Sequence, residues 1–215
     1  MPTRSVQQVI VAIVAFVWLV LALIAPSSSN SALSPAPLKL YSVGAATVGL
    51  ALLAYDRFLW KLRFVRLIRP VPVLAGTWRG RLTSSYIGAS GETFVDIPVY
   101  LLVSQTSSSL SATLMSARSR SNSILAHLLR APDKTWKVTW TYLGSSTPGE
   151  RATNPMHNGL CELMVAGKQG ERLVGSYFTD RLSRGEMTFD AASAAEYRDY
   201  ESASNGSDYT SRRTL

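Results

Sequence analysis

Two long apolar runs near the start of the chain limit what the rest can be. Val9–Ala25 reads VIVAIVAFVWLVLALIA, seventeen residues without a charge or a polar side chain, and Leu40–Tyr55 reads LYSVGAATVGLALLAY, sixteen more between Lys39 and Asp56. A helix needs about 20 apolar residues to cross the hydrocarbon core, with about 17 as the lower limit. Lys39 can snorkel, and Phe58, Leu59 and Trp60 prolong the second apolar face. With a Ser-, Ala- and Pro-rich loop between them, the runs predict a transmembrane hairpin. One alternative for the first run is a cleaved signal peptide, with Arg4 as its basic flank and SSSNSA after Ala25 as a tolerant cleavage region. The alternative for the second is a buried helix, but Gly44, Ala45, Ala46, Gly49 and Ala51 suit close helix approach in lipid.

Charge then sets an orientation. Arg4 precedes the first run, no Lys or Arg falls between Gln7 and Leu38, and Arg57, Lys61, Arg63, Arg66 and Arg69 follow the second. The positive-inside rule places Pro26–Leu38 outside and both termini, with everything after the hairpin, in the cytoplasm. A single cysteine, Cys161, rules out an intrachain disulfide and gives no sign of an oxidising compartment. The net charge of +8 is uneven: seven bases against one acid up to Pro70, fifteen against thirteen beyond it. The basicity is thus a juxtamembrane signature that points to a lipid bilayer and not to DNA or RNA. Arg57–Arg69, RFLWKLRFVRLIR, alternates bases with large apolar residues. It reads as a continuation of the second helix, an interfacial helix on anionic headgroups, or an ordinary solvated helix end. Pro70 and Pro72 stop it.

From Leu74 the hydrophobic period changes to two. Eight segments have strand character: Gly76–Tyr86, Phe94–Gln105, Ser109–Ala117, Ser121–Arg130, Thr135–Leu143, His157–Ala166, Arg172–Asp180 and Gly185–Ala191. Short Gly-, Ser-, Pro- and Asp-bearing turns separate them, and no helical period intervenes. This predicts an antiparallel meander that closes on itself, since closure removes the sheet edges. The expected fold is therefore a membrane-anchored all-β chain: a two-helix transmembrane hairpin over 1–70, a soluble eight-stranded antiparallel β-barrel over 71–191, and a polar, disordered tail over 192–215. A docked Tyr-bearing helix is the alternative for the tail.

Catalytic signals are sparse. His157 and Cys161 are four apart on a strand, which separates their Cα atoms by about 13 Å, and two His with one Cys make a poor metal site. No G-x-S-x-G or P-loop occurs. The chain reads as a binding protein without enzymatic activity, cofactor or metal. Ala117-Arg-Ser-Arg-Ser-Asn-Ser123 carries two guanidiniums and three hydroxyls that can fork onto phosphate, although a solvated polar hairpin would look the same. Trp140, Tyr142 and Tyr177 could stack on bases or could be core. Tyr177-Phe-Thr-Asp-Arg181 ends a strand with hydroxyls and a cation where a barrel mouth would be.

Several of these features together resemble a known family. They are the N-terminal hairpin, Gly76-Thr-Trp-Arg-Gly80 soon after Pro72, Ser119-x-Ser121-x-Ser123, His157-x-Gly159, and Leu173-Val-Gly-Ser-Tyr177 leading to Thr179-Asp-Arg181. The chain resembles, from about Val9 to Phe189, the CD-NTase-associated effectors of CBASS anti-phage defence, which combine two transmembrane helices with a β-strand-rich domain. The resemblance implies a barrel that senses a cyclic dinucleotide made by a partner nucleotidyltransferase, oligomerises on binding it, and damages the inner membrane. Such a ligand needs cations or N–H donors for two phosphates and flat surfaces for two bases. Arg118, Arg120 and Arg181 are the cation candidates, Tyr142 and Tyr177 the stacking platforms, and Ser119, Ser121 and Thr179 the hydroxyl partners. A second reading is a membrane-tethered lipocalin-like carrier of a small hydrophobic ligand: Gly76-Thr-Trp78 looks like that family's G-x-W, and Arg181 could pack on the tryptophan. A scaffold that recruits a protein is a third.

Overall fold

A computed structural model describes residues 11–12, 14–20, 35–68, 70–87, 91, 93–146, 148–150, 155–167 and 171–211. The chain divides into two compact units, 1–71 and 72–215.

In the first unit, residues 11–12 and 14–20 are helical, α1 spans Pro35–Arg57, a 3-10 turn covers Leu59–Lys61, and α2 spans Arg63–Ile68. Among the described residues no helix is long and apolar enough to cross a membrane. This overturns the expected transmembrane hairpin and, with it, the multi-pass inner-membrane location and its orientation. α1 has the length, at 23 residues. Its centre, however, is filled by Ser42, Gly44, Ala45, Ala46, Thr47 and Gly49, whose transfer to hydrocarbon yields little free energy, and its ends hold Lys39, Asp56 and Arg57. Of the first apolar run, residues 9–10, 13 and 21–25 lie outside the described residues.

The second unit is the barrel. Its strands are β1 (Gly76–Ile87), β2 (Thr93–Gln105), β3 (Leu110–Met115), β4 (Ser119–Arg130), β5 (Trp136–Ser146), β6 (His157–Ala166), β7 (Arg172–Thr179) and β8 (Arg184–Ser193). Each pairs antiparallel with the next, and β8 closes on β1, so the expected eight-stranded antiparallel barrel is found. Alternation explains the closure. Trp78, Val99, Leu101, Val103, Ala112, Val138, Trp140, Cys161, Leu163, Leu173, Met187 and Phe189 all turn inward and form one core. Gly80 is glycine for a packing reason: a Cβ there would run into the Phe189 ring and the Thr188 carbonyl.

The two ends of the barrel differ. At the floor, Trp78 is fully buried and its indole N–H donates to the Leu74 carbonyl at 2.8 Å. Gln105 clamps the entering chain, accepting from the Leu74 N–H at 2.6 Å and donating to the Pro72 carbonyl at 3.1 Å. With Trp78, Trp140, Phe189, Leu101, Leu163 and Leu173 each under 2% exposed, the interior is filled by side chains. The stretch expected to be a disordered tail is instead ordered through residue 211. It forms a short helix, α3 (Tyr200–Asn205), and a bridge between Ala192 and Thr210. Ala203 is fully buried in a cluster with Tyr100, Leu102 and Met115 from the outer faces of β2 and β3, flanked by Tyr197, Tyr200 and Tyr209.

Candidate functional site

The end opposite the Trp78 floor is built from hydroxyls. Its loops are 88–92, 116–118, 147–156 and 180–183, of which 88–90, 92, 147 and 151–154 lie outside the described residues. The strand register brings inward-facing positions into rows at this end: Ser119 opposite Ser146, Ser121 opposite Gly144, Ser123 opposite Tyr142, Tyr142 opposite Gly159, and Gly159 opposite Thr179. Thr179 Oγ1 lies 2.7 Å from Ser183 Oγ, and Ser116 Oγ lies 2.9 Å from Ser119 Oγ. The Tyr177 hydroxyl donates to Ser84 Oγ at 2.6 Å. Ser146 Oγ is buried with no hydrogen-bond partner among the described residues, a group that gains from any polar ligand reaching it.

Glycines make room for the rings here. A Cβ at Gly159 would overlap the Tyr142 ring, and one at Gly144 would strike His157. Tyr142 is therefore laid across its neighbouring strand, 4% exposed, with its ring edge-on to His157 at 6.1 Å. Burial raises the pKa of its phenol well above the ordinary tyrosine range, and does so less strongly for Tyr177, where the Ser84 bond opposes it. His157 is pushed the other way. Burial disfavours its imidazolium, the Pro155 carbonyl on Nδ1 partly restores it, Arg181 lowers the pKa further and Asp180 raises it. Asp180 accepts from both the backbone and side-chain nitrogens of Asn158, which hold its carboxyl below the usual range.

Of the residues expected to bind ligand, Ser119, Ser121, Tyr142, Tyr177, Thr179 and Arg181 gather at this one end. Arg181 lies over the Tyr86 ring at 5.8 Å, at the end opposite Trp78, so it does not make the arginine–tryptophan contact that the carrier reading requires. Arg118 is exposed in the β3–β4 turn. Arg120 faces outward instead, with Nε donating to Asn122 Oδ1 at 3.2 Å and a terminal nitrogen donating to the Arg198 carbonyl, so it anchors the C-terminal strap. Tyr142 is too enclosed to offer a free face.

Sequence reasoning missed the wall beside this end. A cleft of about 460 Å³ opens where β1, β7 and β8 meet, and the Tyr177 ring and the Thr83 carbonyl close in on Gly185 at its centre. Phe178, 57% exposed, and Arg184 are directly paired on its outer surface. Ser84, Ser85, Ser176 and Glu186 complete the lining, and the Arg184 N–H donates to Ser85 Oγ at 3.0 Å. A flat ring, an exposed cation and several hydroxyls are the groups that a base joined to a phosphate requires. The available signal was the hydroxyl run Thr83-Ser84-Ser85 together with an aromatic, Phe178, at an outward position.

Comparison with known proteins identifies the family of the barrel. CD-NTase-associated protein 15 of Staphylococcus schleiferi is 26% identical over 135 residues, 63% of this chain and 69% of that protein. Residues 69–191, more than half of the chain and every strand to within two residues of the end of β8, match the family described as Cap15, cyclic dinucleotide receptor domain, and the chain belongs to that family.

Proposed function

We propose that this chain is a CBASS effector whose barrel binds a cyclic dinucleotide, supplied by a partner nucleotidyltransferase, at its hydroxyl-rich end. The match of residues 69–191 to a cyclic dinucleotide receptor domain carries the reading. The gathering of hydroxyls, Arg181, Arg184 and the exposed Phe178 around one end supports it. In this reading the guanidiniums of Arg181 and Arg184 meet the phosphates, serine and threonine hydroxyls take the remaining oxygens, and a base lies on Phe178. The phosphates stay charged across neutral pH, so permanent cations suit them better than a histidine whose imidazolium is disfavoured. The protein acts by binding and not by catalysis.

Binding drives assembly only if the assembled state binds ligand more tightly than the single chain. We place that advantage at the open end, because the packed interior leaves no slack for ligand to reshape. Oligomers would then concentrate the basic, apolar stretch 57–68 at a lipid bilayer, where its clustering disrupts the membrane. Phe58, Phe64 and Leu67 are exposed there beside Arg57, Arg63 and Arg66, a pattern suited to anionic headgroups without a spanning helix. The lipocalin-like carrier gains no support from an interior filled by Trp78, Trp140 and Phe189.

Calorimetry of the full chain against cyclic dinucleotides, with sedimentation velocity on the same samples, tests the reading. Binding accompanied by larger species is expected. Arg184→Ala should weaken binding by about 10- to 100-fold, the 1.5–3 kcal/mol of a hydrogen bond to a charged group. A chain that binds no cyclic dinucleotide, or one indifferent to loss of both Arg181 and Arg184, would contradict it.

A further inference from the structure

The cleft beside the open end contains one group that a phosphate site should not have. Glu186 faces outward on β8, with Ser176 of β7 on one side and Thr83 of β1 on the other. Among the described residues it forms no ion pair, and Arg184, one pleat away on the same face, is not drawn to it. A carboxylate there repels a ligand's phosphates unless it meets a part of the ligand that donates hydrogen bonds. Carboxylates are acceptor-only and take two parallel N–H donors in bidentate fashion.

Among the bases, only guanine sets two such donors side by side, the N1–H and the 2-amino group. Adenine and cytosine each pair one amino donor with a ring-nitrogen acceptor, and uracil flanks its single N–H with two carbonyls that a carboxylate repels. The spacing also fits. Phe178 pairs with Arg184 and Ser176 with Glu186, so the stacking ring and the carboxylate occupy successive outward rows, about 7 Å apart along the strands. A purine stacked on Phe178 and lying along the wall would turn its edge toward Glu186, in a cleft of about 460 Å³ that has room for the base and its ribose.

We propose that Glu186 is the base-reading residue of this cleft and that it selects a cyclic dinucleotide containing guanine. The inference rests on the reading that this end binds cyclic dinucleotides and adds to it the identity of the base. Titration calorimetry of the full chain with cyclic di-GMP, cyclic di-AMP and cyclic di-UMP is the test, repeated on Glu186→Gln. That exposed, isosteric change leaves the fold intact and replaces one acceptor with a donor. Cyclic di-GMP should bind about 10- to 100-fold more tightly than the other two, as one bidentate base contact provides. Glu186→Gln should abolish most of that preference by weakening cyclic di-GMP binding, and should strengthen cyclic di-AMP binding, whose phosphates lose a repelling charge. Equal affinities, a preference for another base, or a guanine preference that survives Glu186→Gln would overturn the assignment while leaving the broader reading in place. Failure of these three ligands and of the mixed guanine–adenine and guanine–uracil cyclic dinucleotides to bind would overturn both.

Discussion

At Gly159 the open end of the barrel has no space even for a methyl group. A Cβ would enter the Tyr142 ring, which is buried on one side and held edge-on to His157 on another. Gly159→Ala should therefore cost about 1–3 kcal/mol, as overpacking does, read as a lower urea midpoint at unchanged slope. A loss below about 0.5 kcal/mol, the range of neutral surface changes, would mean that the ring swings aside freely. His157 gives the same end a pH dependence. Its folded pKa lies below the ordinary 6.5, so the unfolded chain takes the proton first and stability falls as pH drops from 6.5 toward the depressed value. Asp180 has the opposite character. Its folded pKa lies below 3.8, so its contribution is present above that value and is lost only at more acid pH. The melting temperature should thus fall in two separate windows, and His157→Gln should remove the upper one. An unchanged profile would locate the upper step elsewhere. These residues also show what could be read without a structure. The inward hydroxyls Ser121 and Thr179 follow from strict alternation, whereas the sequence points to Tyr142 and Tyr177 as stacking faces and passes over Phe178. Two adjacent aromatics, Tyr177 and Phe178, point to opposite sides of the wall, and only packing reveals that the outward one is free.

Among the elements, the strands were legible because a barrel wall imposes a period of two and each turn announces itself with Gly, Ser, Pro or Asp. The C-terminal strap was not, because Tyr197, Tyr200 and Tyr209 follow neither a helical nor a strand period. Its partner surface did leave a mark. Val99-Tyr100-Leu101-Leu102-Val103 is apolar on both faces of β2, as expected of a strand covered on its outer side too. The strap supplies that cover. Asp199 caps α3 by accepting from the Ser202 N–H at 2.8 Å, the Arg79 guanidinium lies 5.1 Å over the Tyr209 ring, and Tyr197 donates to Asp208 at 2.7 Å. Deleting residues 196–215 should expose Tyr100, Leu102 and Met115 and lower stability by about 2–5 kcal/mol, the order of uncovering several apolar side chains. Ala203→Asp, which places a charge in the fully buried position, should release the strap to proteolysis while the barrel persists. Equal stability of the shortened and full chains would show that the strap rests on the barrel without supporting it.

For the whole molecule, the two units call for separate readouts. The strands between Gly76 and Ser193 form a filled barrel, and in the first unit Phe58, Phe64 and Leu67 stand exposed beside Arg57 and Arg63. Length alone makes α1 look like a span, but the small and hydroxyl residues at its centre leave it too weakly apolar to cross a membrane. Attachment at a lipid surface makes a smaller demand, since an amphipathic segment needs only a few apolar side chains among bases. The full chain should therefore co-sediment with anionic vesicles, and less so at high salt, because headgroup attraction is screened beyond about 8 Å at physiological ionic strength. Phe64 and Leu67 are 65% and 86% exposed, and burying each in the interface contributes about 1.5–3 kcal/mol at most. Phe64→Asp with Leu67→Asp should reduce vesicle binding at least about 10-fold and leave calorimetric affinity for a cyclic dinucleotide unchanged. Under the proposed ligand-driven assembly, oligomers would present many such segments at once, so avidity should strengthen vesicle binding when ligand is added. Dye release should then require ligand, anionic lipid and intact Phe64 and Leu67 together. Release from ligand-free protein, or equal release from neutral vesicles, would disconnect lipid action from signal binding and refute this coupling.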